Sequence, residues 1–204
     1  MEMEKKSARA DRLYILAESQ GGYFTASDAK AAGYDYALQH FHVRKKNWIR
    51  MDRGVYRLKR FPSSEHEDLI RWWLWTRKEG AISHESAAAV YGLGDILPSK
   101  VYLTVPMTFR KKAPQEVILY KATFVPSDVR IREGFRITTS LRTVLDLARR
   151  RLDPERLTAV VKDAIQKGLL DRELSFPNSI ELLQIWTCPH RLQFSSPLGK
   201  VNEI

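Results

Sequence analysis

The feature that most constrains this chain is one glycine, Gly33, set between two short segments of helical periodicity and followed by a hairpin-forming run. Before it, Thr25 or Ser27 can cap a helix through Asp28–Ala32, and Gly33 takes the position after the helix, where a positive φ meets no Cβ. After it, Asp35 caps a second helix over Tyr36–Lys46. Upstream, Leu13, Ile15, Leu16 and Ala17 recur at helical spacing between Ala8 and Ser19 until Gly21-Gly22 breaks the pattern, and Tyr23-Phe24 makes a short β-prone step. Downstream, WIRMDRGVYRL (Trp48–Leu58) reads as two short strands about an Asp52-Arg53-Gly54 turn, with Trp48 and Tyr56 as a packing pair across it. Helix, tight glycine turn, helix and hairpin predict a winged helix-turn-helix over residues 1–62.

Charge adds a partner to this shape. The 204 residues carry a net charge of +10, and residues 1–60 hold 13 Lys+Arg against 7 Asp+Glu. Residues 36–60 alone hold 8 cations and a single acid, Asp52, a field that attracts phosphate polyanions. On the second helix Leu38 and Phe41 share one face, with His42 and Lys45 near it, which assigns Leu38 and Phe41 to the core. The opposite face then carries Tyr36, Gln39, His40 and Arg44, all able to bond base edges or phosphates, with Lys45 completing the set. Arg50, Arg53 and Arg57 on the hairpin are placed to meet the flanking backbone or the minor groove of double-stranded DNA. His40 and His42 have no cysteine or carboxylate at ligand spacing beside them, so no metal is expected there.

After Phe61-Pro62-Ser63-Ser64 the chain begins HEDLIRWWLWTRKEG, where Leu69, Trp72, Trp73 and Leu74, with Trp75 adjoining, can anchor a second core. Strands follow at Ala81–Ser83, Val101–Val105, Glu116–Ala122 and Phe135–Thr138, and helices at Ala87–Tyr91, Leu141–Arg150 and Pro154–Lys167. The fold class is therefore α/β (α+β): the winged module at 1–62, then a mixed α/β domain with a small sheet over 63–175. Residues 176–204 continue no pattern beyond a short helix at Ile180–Trp186, and stay unassigned. The lone Cys188 rules out an intramolecular disulfide, and no cleavable leader and no apolar run long enough to span a bilayer are present, so a cytoplasmic, membrane-free protein is expected.

Two clusters invite a catalytic reading, His66-Glu67-Asp68 and Ser83-His84-Glu85-Ser86. The first reads more simply as an acidic first helical turn and Ser83 as a helix cap; no nucleophile elbow, phosphate-cradling glycine loop or second ligand pair accompanies them. No catalytic residue, metal or cofactor is assigned, and the chain reads as a regulator rather than an enzyme. The runs Arg110-Lys111-Lys112 and Arg149-Arg150-Arg151 are either solvated surface or an extension of the DNA footprint.

The stretch GGYFTASDAKAAGYDYALQHFHVRKKNWIRMDRGVYRLKRFP resembles the amino-terminal domain of the AbiEi family, the antitoxins of type IV toxin–antitoxin systems. The shared elements are Phe24-Thr25 before the capped helix, the turn at Gly33, and Trp48-Ile49-Arg50 leading into Arg53-Gly54-Val55-Tyr56-Arg57. The similarity continues through ISHESAAAVYGLGDILP, KVYLTVP, IREGFRITT and SLRTVLDLARR, roughly residues 10–175. The resemblance implies an operon shared with a nucleotidyltransferase-like toxin, an inverted-repeat operator on which two copies could bind cooperatively, and a carboxy-terminal domain that counters the toxin without a stable complex being assumed. The alternatives are a transcriptional regulator without a toxin, which the neighbouring gene would reveal, and a DNA-targeted nuclease, which magnesium-dependent plasmid cleavage would reveal.

Overall fold

The computed structural model describes residues 2–170, with side chains from Lys6 onward, so residues 176–204 and the helix expected at Ile180–Trp186 lie outside the described residues. The chain divides into two compact units, one running to Glu79 and including Ile131–Arg136, the other comprising Gly80–Arg130 and Ile137 onward. Helices and two small sheets make an α+β protein. No helix among the described residues is long and apolar enough to cross a membrane.

The first unit contains α1 (Glu2–Glu18), β1 (Tyr23–Thr25), α2 (Ala26–Ala31), α3 (Tyr36–Arg44), β2 (Trp48–Asp52), β3 (Val55–Leu58) and α4 (Glu67–Trp75). The helix-turn-helix and its hairpin stand where the glycine turn and the strand alternation put them, with α1 starting earlier than Ala8 and α3 ending at Arg44 rather than Lys46. The three strands form an antiparallel sheet in the order β1-β3-β2, with Tyr23 opposite Arg57 and Trp48 opposite Leu58. Arg53-Gly54 is the two-residue loop of the wing, and Gly54 adopts φ +79°, the left-handed geometry this turn requires.

Strand β3 presents alternate residues to two layers, as the two-residue period of a strand dictates. Tyr56 and Leu58 pack against a core of Leu13, Ala17, Phe24, Ala29, Ala32, Tyr34 and Trp48. At its centre the Trp48 ring meets Phe24 edge-on at 4.9 Å and Tyr34 at 5.0 Å, and stacks on His42 at 4.8 Å. Arg57, on the other face, meets the first turn of α4 through Glu67. A linker was expected at residues 61–64, yet the first unit continues through α4, which packs on β1 and β3. The composition of α4 explains this: Ile70, Trp72, Trp73, Leu74 and Trp75 are all buried, and a helix this apolar packs on a sheet rather than leading away from it as a linker.

The second unit holds β4 (Ala81–Ile82), α5 (His84–Tyr91), β5 (Val101–Val105), β6 (Val117–Lys121), β7 (Val129–Arg132), β8 (Phe135–Thr138), α6 (Ser140–Arg149) and α7 (Pro154–Gln166), the tip of the β7–β8 hairpin being grouped with the first unit. The sheet order is β6-β5-β4-β8-β7; β4 runs antiparallel to β5 and parallel to β8, and β5 parallel to β6. Ile82, Leu103, Leu119 and Ile137 bury the strand centres. Strand β7 has no counterpart among the strands read from the sequence, because it offers only two apolar residues, Val129 and Ile131, alternating with Arg130 and Arg132, a run too short to stand out.

Trp48→Ala should remove the centre of the first core. We expect a loss of about 3–5 kcal/mol in denaturant unfolding, the range for truncating a large buried aromatic residue. A loss under about 1 kcal/mol would show that the surrounding rings hold the core without it.

Candidate nucleic-acid interface

The presentation of α3 is set by three local devices. Thr25 Oγ1 accepts from Asp28 N at 3.1 Å while Asp28 Oδ2 accepts from Thr25 N at 2.9 Å, a reciprocal cap that fixes the start of α2. Gly33, at φ +100°, makes the turn, and a Cβ there would stand 3.3 Å from the Arg9 side chain. Asp35 Oδ1 accepts from Leu38 N at 2.8 Å and starts α3.

Seen from this frame, the exposed surface of α3 is two parallel ridges at four-residue spacing, Tyr36-His40-Arg44 and Ala37-Phe41-Lys45. Tyr36 is 83% exposed, and His40, Arg44 and Lys45 are exposed as the sequence led us to expect. Arg50 and Arg53 are exposed on the wing. Two expected DNA contacts point elsewhere. Gln39 is 7% exposed, its Nε2 donating to Ala26 O at 3.1 Å and Tyr34 O at 2.9 Å. Arg57 is 9% exposed, its Nη2 donating to Phe61 O at 3.0 Å and pairing with Glu67 at 3.3 Å, with the guanidinium over the Tyr23 ring.

The two corrections have different causes: Arg57 is drawn to Glu67 at the start of α4, whereas Gln39 follows from the rotation of α3. Apolarity at Leu38 and Phe41 set the helix orientation in the sequence reading, whereas the inward residues are Leu38, Gln39, His42 and Val43, and Phe41 is 43% exposed. The rotation is roughly one residue, about 100°. Gln39 turns inward because two backbone carbonyls there need a donor, and a primary amide supplies two N–H groups at once. Phe41 is thus a candidate contact that sequence reasoning missed; its exposed ring suits an apolar patch such as a thymine methyl.

Electrostatics on this surface are one-sided. Asp52, the only acid in residues 36–60, is turned to its own turn and to α4: one oxygen accepts from Arg53 N at 2.6 Å, the other lies 3.8 Å from Arg71. The cations of α3 and the wing therefore have no carboxylate of their own hairpin to oppose them. His42 adds no charge, because burial first, and then Arg9 and Lys6, hold its pKa below the ordinary imidazole value.

The two candidate catalytic clusters fall in different units. His66 Nδ1 contacts Glu133 at 2.7 Å, and Glu67 and Asp68 occupy the first turn of α4. Ser83 is fully buried and precedes α5, with its hydroxyl 2.9 Å from His84 Nδ1 and accepting from Thr104 Oγ1 at 2.8 Å. His84 lies flat on Tyr120 at 3.9 Å, and burial first, then Arg150 and Arg142, push its pKa down to about 3. A general base for neutral-pH chemistry needs a pKa near the working pH, which this imidazole lacks. Asp128 and Asp146 could have offered paired carboxylates, but Arg142 sits between them, 2.7 Å from one and 2.8 Å from the other. Among the described residues no group of three or more His, Cys, Asp or Glu side chains is arranged to hold a metal ion. Of the Arg149–Arg151 run, Arg149 lies 3.8 Å from Asp146 and Arg150 pairs with Glu85 at 3.0 Å, so two of the three face their own unit's acids.

Residues 11–59 match the family model described as "Transcriptional regulator, AbiEi antitoxin". The match runs from within α1 to the end of β3 and covers the first part of the resemblance read from the sequence, which extends to about residue 175. Among solved structures the chain is similar to the RV2827C protein from Mycobacterium tuberculosis at 15% identity, with a TM-score of 0.46, covering 76% of this chain and 64% of that one. The chain thus spans about 64% of the length of that protein. No match to a curated protein was found.

Two outcomes follow from the inward groups. Gln39→Ala and Arg57→Ala should each lower unfolding stability by about 1–3 kcal/mol, since Gln39→Ala strands the carbonyls of Ala26 and Tyr34, and Arg57→Ala strands the carbonyl of Phe61 and the Glu67 carboxylate. Equilibrium unfolding checks this, and an unchanged midpoint with weakened DNA binding would return these side chains to the interface. For His84 the unfolded chain takes up a proton near pH 6.5 while the folded one resists to about pH 3, so this group's contribution is intact above pH 6.5 and declines as pH falls toward 3. Asparagine tolerates the positive φ at position 84 and does not titrate, so His84→Asn should flatten the stability-versus-pH curve in that window. Curves of equal slope for the two proteins would contradict the buried neutral imidazole.

Proposed function

We propose that this chain, whose residues 11–59 match the AbiEi antitoxin regulators, is a double-stranded-DNA-binding repressor of its own operon that also counters a toxin encoded beside it. The observation that carries the DNA half is the double ridge of α3, Tyr36-His40-Arg44 and Ala37-Phe41-Lys45, exposed to solvent together with Arg50 and Arg53. A helix of this length fits the major groove, where Tyr36, His40 and Arg44 reach base edges, and the wing arginines then meet phosphates or the minor groove. Base contacts specify and phosphate contacts position, so the α3 residues set the operator sequence and Arg50 and Arg53 set affinity. An inverted repeat occupied by two copies follows from the family likeness. The antitoxic half rests on the same likeness: the second unit acts against a nucleotidyltransferase-like toxin, with no stable complex needed.

The full-length protein separates the two halves. His40→Ala/Arg44→Ala/Arg53→Ala should lose repression of an operator–reporter fusion, yet still restore growth when the toxin is expressed from an unrelated promoter. In vitro, the wild-type log–log salt dependence should have a slope of about −4 to −5, for roughly 4–6 neutralised phosphates. A flat salt response removes the DNA reading. Growth rescue lost together with repression removes the division of labour.

A further inference from the structure

At the foot of the wing, opposite its tip, the first unit has an open cleft of about 650 Å3 that the recognition helix and wing tip do not use. Its floor is apolar, formed by Leu58, Phe61 and Pro62, and the half-exposed Tyr14 stands at its wall. Around it stand Lys45, Lys46, Lys59 and Arg60. All four are exposed, no acid lines the cleft, and none of the four pairs with a carboxylate among the described residues. Four like charges around one depression repel one another, and an apolar floor strengthens any field they make together. Such an arrangement favours an anion.

The backbone at Lys46 points the same way. The end of α3 is a Schellman motif: Asn47 N donates to His42 O at 3.0 Å and Lys46 N to Val43 O at 3.0 Å. Lys46 fills the left-handed position, φ +56°, that normally belongs to glycine. A side chain is carried there against its backbone preference, and what it places at the rim of the cleft is an ammonium group.

We propose that this cleft holds a run of phosphodiesters of duplex DNA flanking the base pairs read by α3, an inference that rests on the DNA-binding reading above. Lys45 belongs both to the outer ridge of α3 and to the rim of the cleft, so a strand leaving the groove at the end of α3 passes directly to Lys46, Lys59 and Arg60. The Tyr14 hydroxyl is placed to donate to a phosphate oxygen on the way. The footprint is then longer than helix and wing alone would give, and the added length is read as charge, without base sequence.

The test compares the full-length wild type with Lys46→Gly/Lys59→Ala/Arg60→Ala on two operator duplexes, one with several flanking base pairs and one trimmed to the sequence under α3. Glycine suits the left-handed position, so the variant should unfold at a temperature no lower than wild type. On the long duplex its salt slope should fall by about 2–3, with roughly tenfold or greater loss of affinity near physiological salt; on the trimmed duplex the two proteins should bind alike. Unchanged binding to the long duplex overturns the proposal, as does an equal loss on both duplexes, which would indicate only a diffuse positive field. A variant defect seen with single-stranded oligonucleotide but not with duplex overturns it in favour of an unpaired strand. His40→Ala/Arg44→Ala should weaken binding to both lengths; if wild type binds neither duplex, the DNA-binding reading falls and the cleft's role with it.

Discussion

The first unit depends on β3 being a central strand buried on both sides. Its pairing with β1 and β2 closes the sheet, while Tyr56 and Leu58 serve the core under α1–α3 and Arg57 serves the layer under α4. A strand flanked on both faces in a unit this small leaves few positions for polar function. That is why an arginine in mid-strand is spent on Glu67 and the carbonyl of Phe61, and why the exposed arginines of the hairpin are on β2 and at its tip.

Acids and cations are sorted by this architecture. Asp28 caps α2 and also pairs with Lys78 at 2.9 Å, and Asp52 holds the wing turn and faces Arg71. Carboxylates near the interface thus carry structural duties and are drawn toward α4 and the segment after it. Apart from Asp35, which is exposed where it caps the start of α3, the outward helix surface has no neighbouring acid in its own helix, which matters because attraction between exposed charges and a polyanion is shared among many weak contacts.

Much of the first unit was legible in the sequence, because its signals are local. Thr25, Gly33, Asp35 and Gly54 each act within a few residues, and their roles are those the structure shows. What was not legible is what depends on partners distant in sequence. Gln39 looks like a surface amide until Ala26 O and Tyr34 O are brought to it, and Arg57 looks like a phosphate contact until α4 covers it. Phe41 looks like core because it is apolar, and periodicity in a nine-residue helix is too short to correct a face misassigned by one residue. The proline-containing break at 61–64 suggested a boundary, but a helix with four buried aliphatic and aromatic neighbours in its last turns goes where apolar surface is available. In the second unit the strand and helix positions were read nearly in place apart from β7, while the neutrality of His84 depends first on burial and then on Arg150 and Arg142, which no local pattern joins to it.

The amide of Gln39 has a consequence for how such a module changes over time. The angle between α2 and α3 is held by a side chain that faces away from the solvent ridges, so Tyr36, His40 and Arg44 contribute little to keeping the helices together. Exchanges on those ridges cost about half a kcal/mol or less in stability, the usual range for exposed sites without special roles. On the DNA-binding reading proposed above, a lineage carrying this scaffold can therefore drift from one target sequence to another through folded intermediates, and two copies diverging within one genome can become insulated from each other before their folds differ at all.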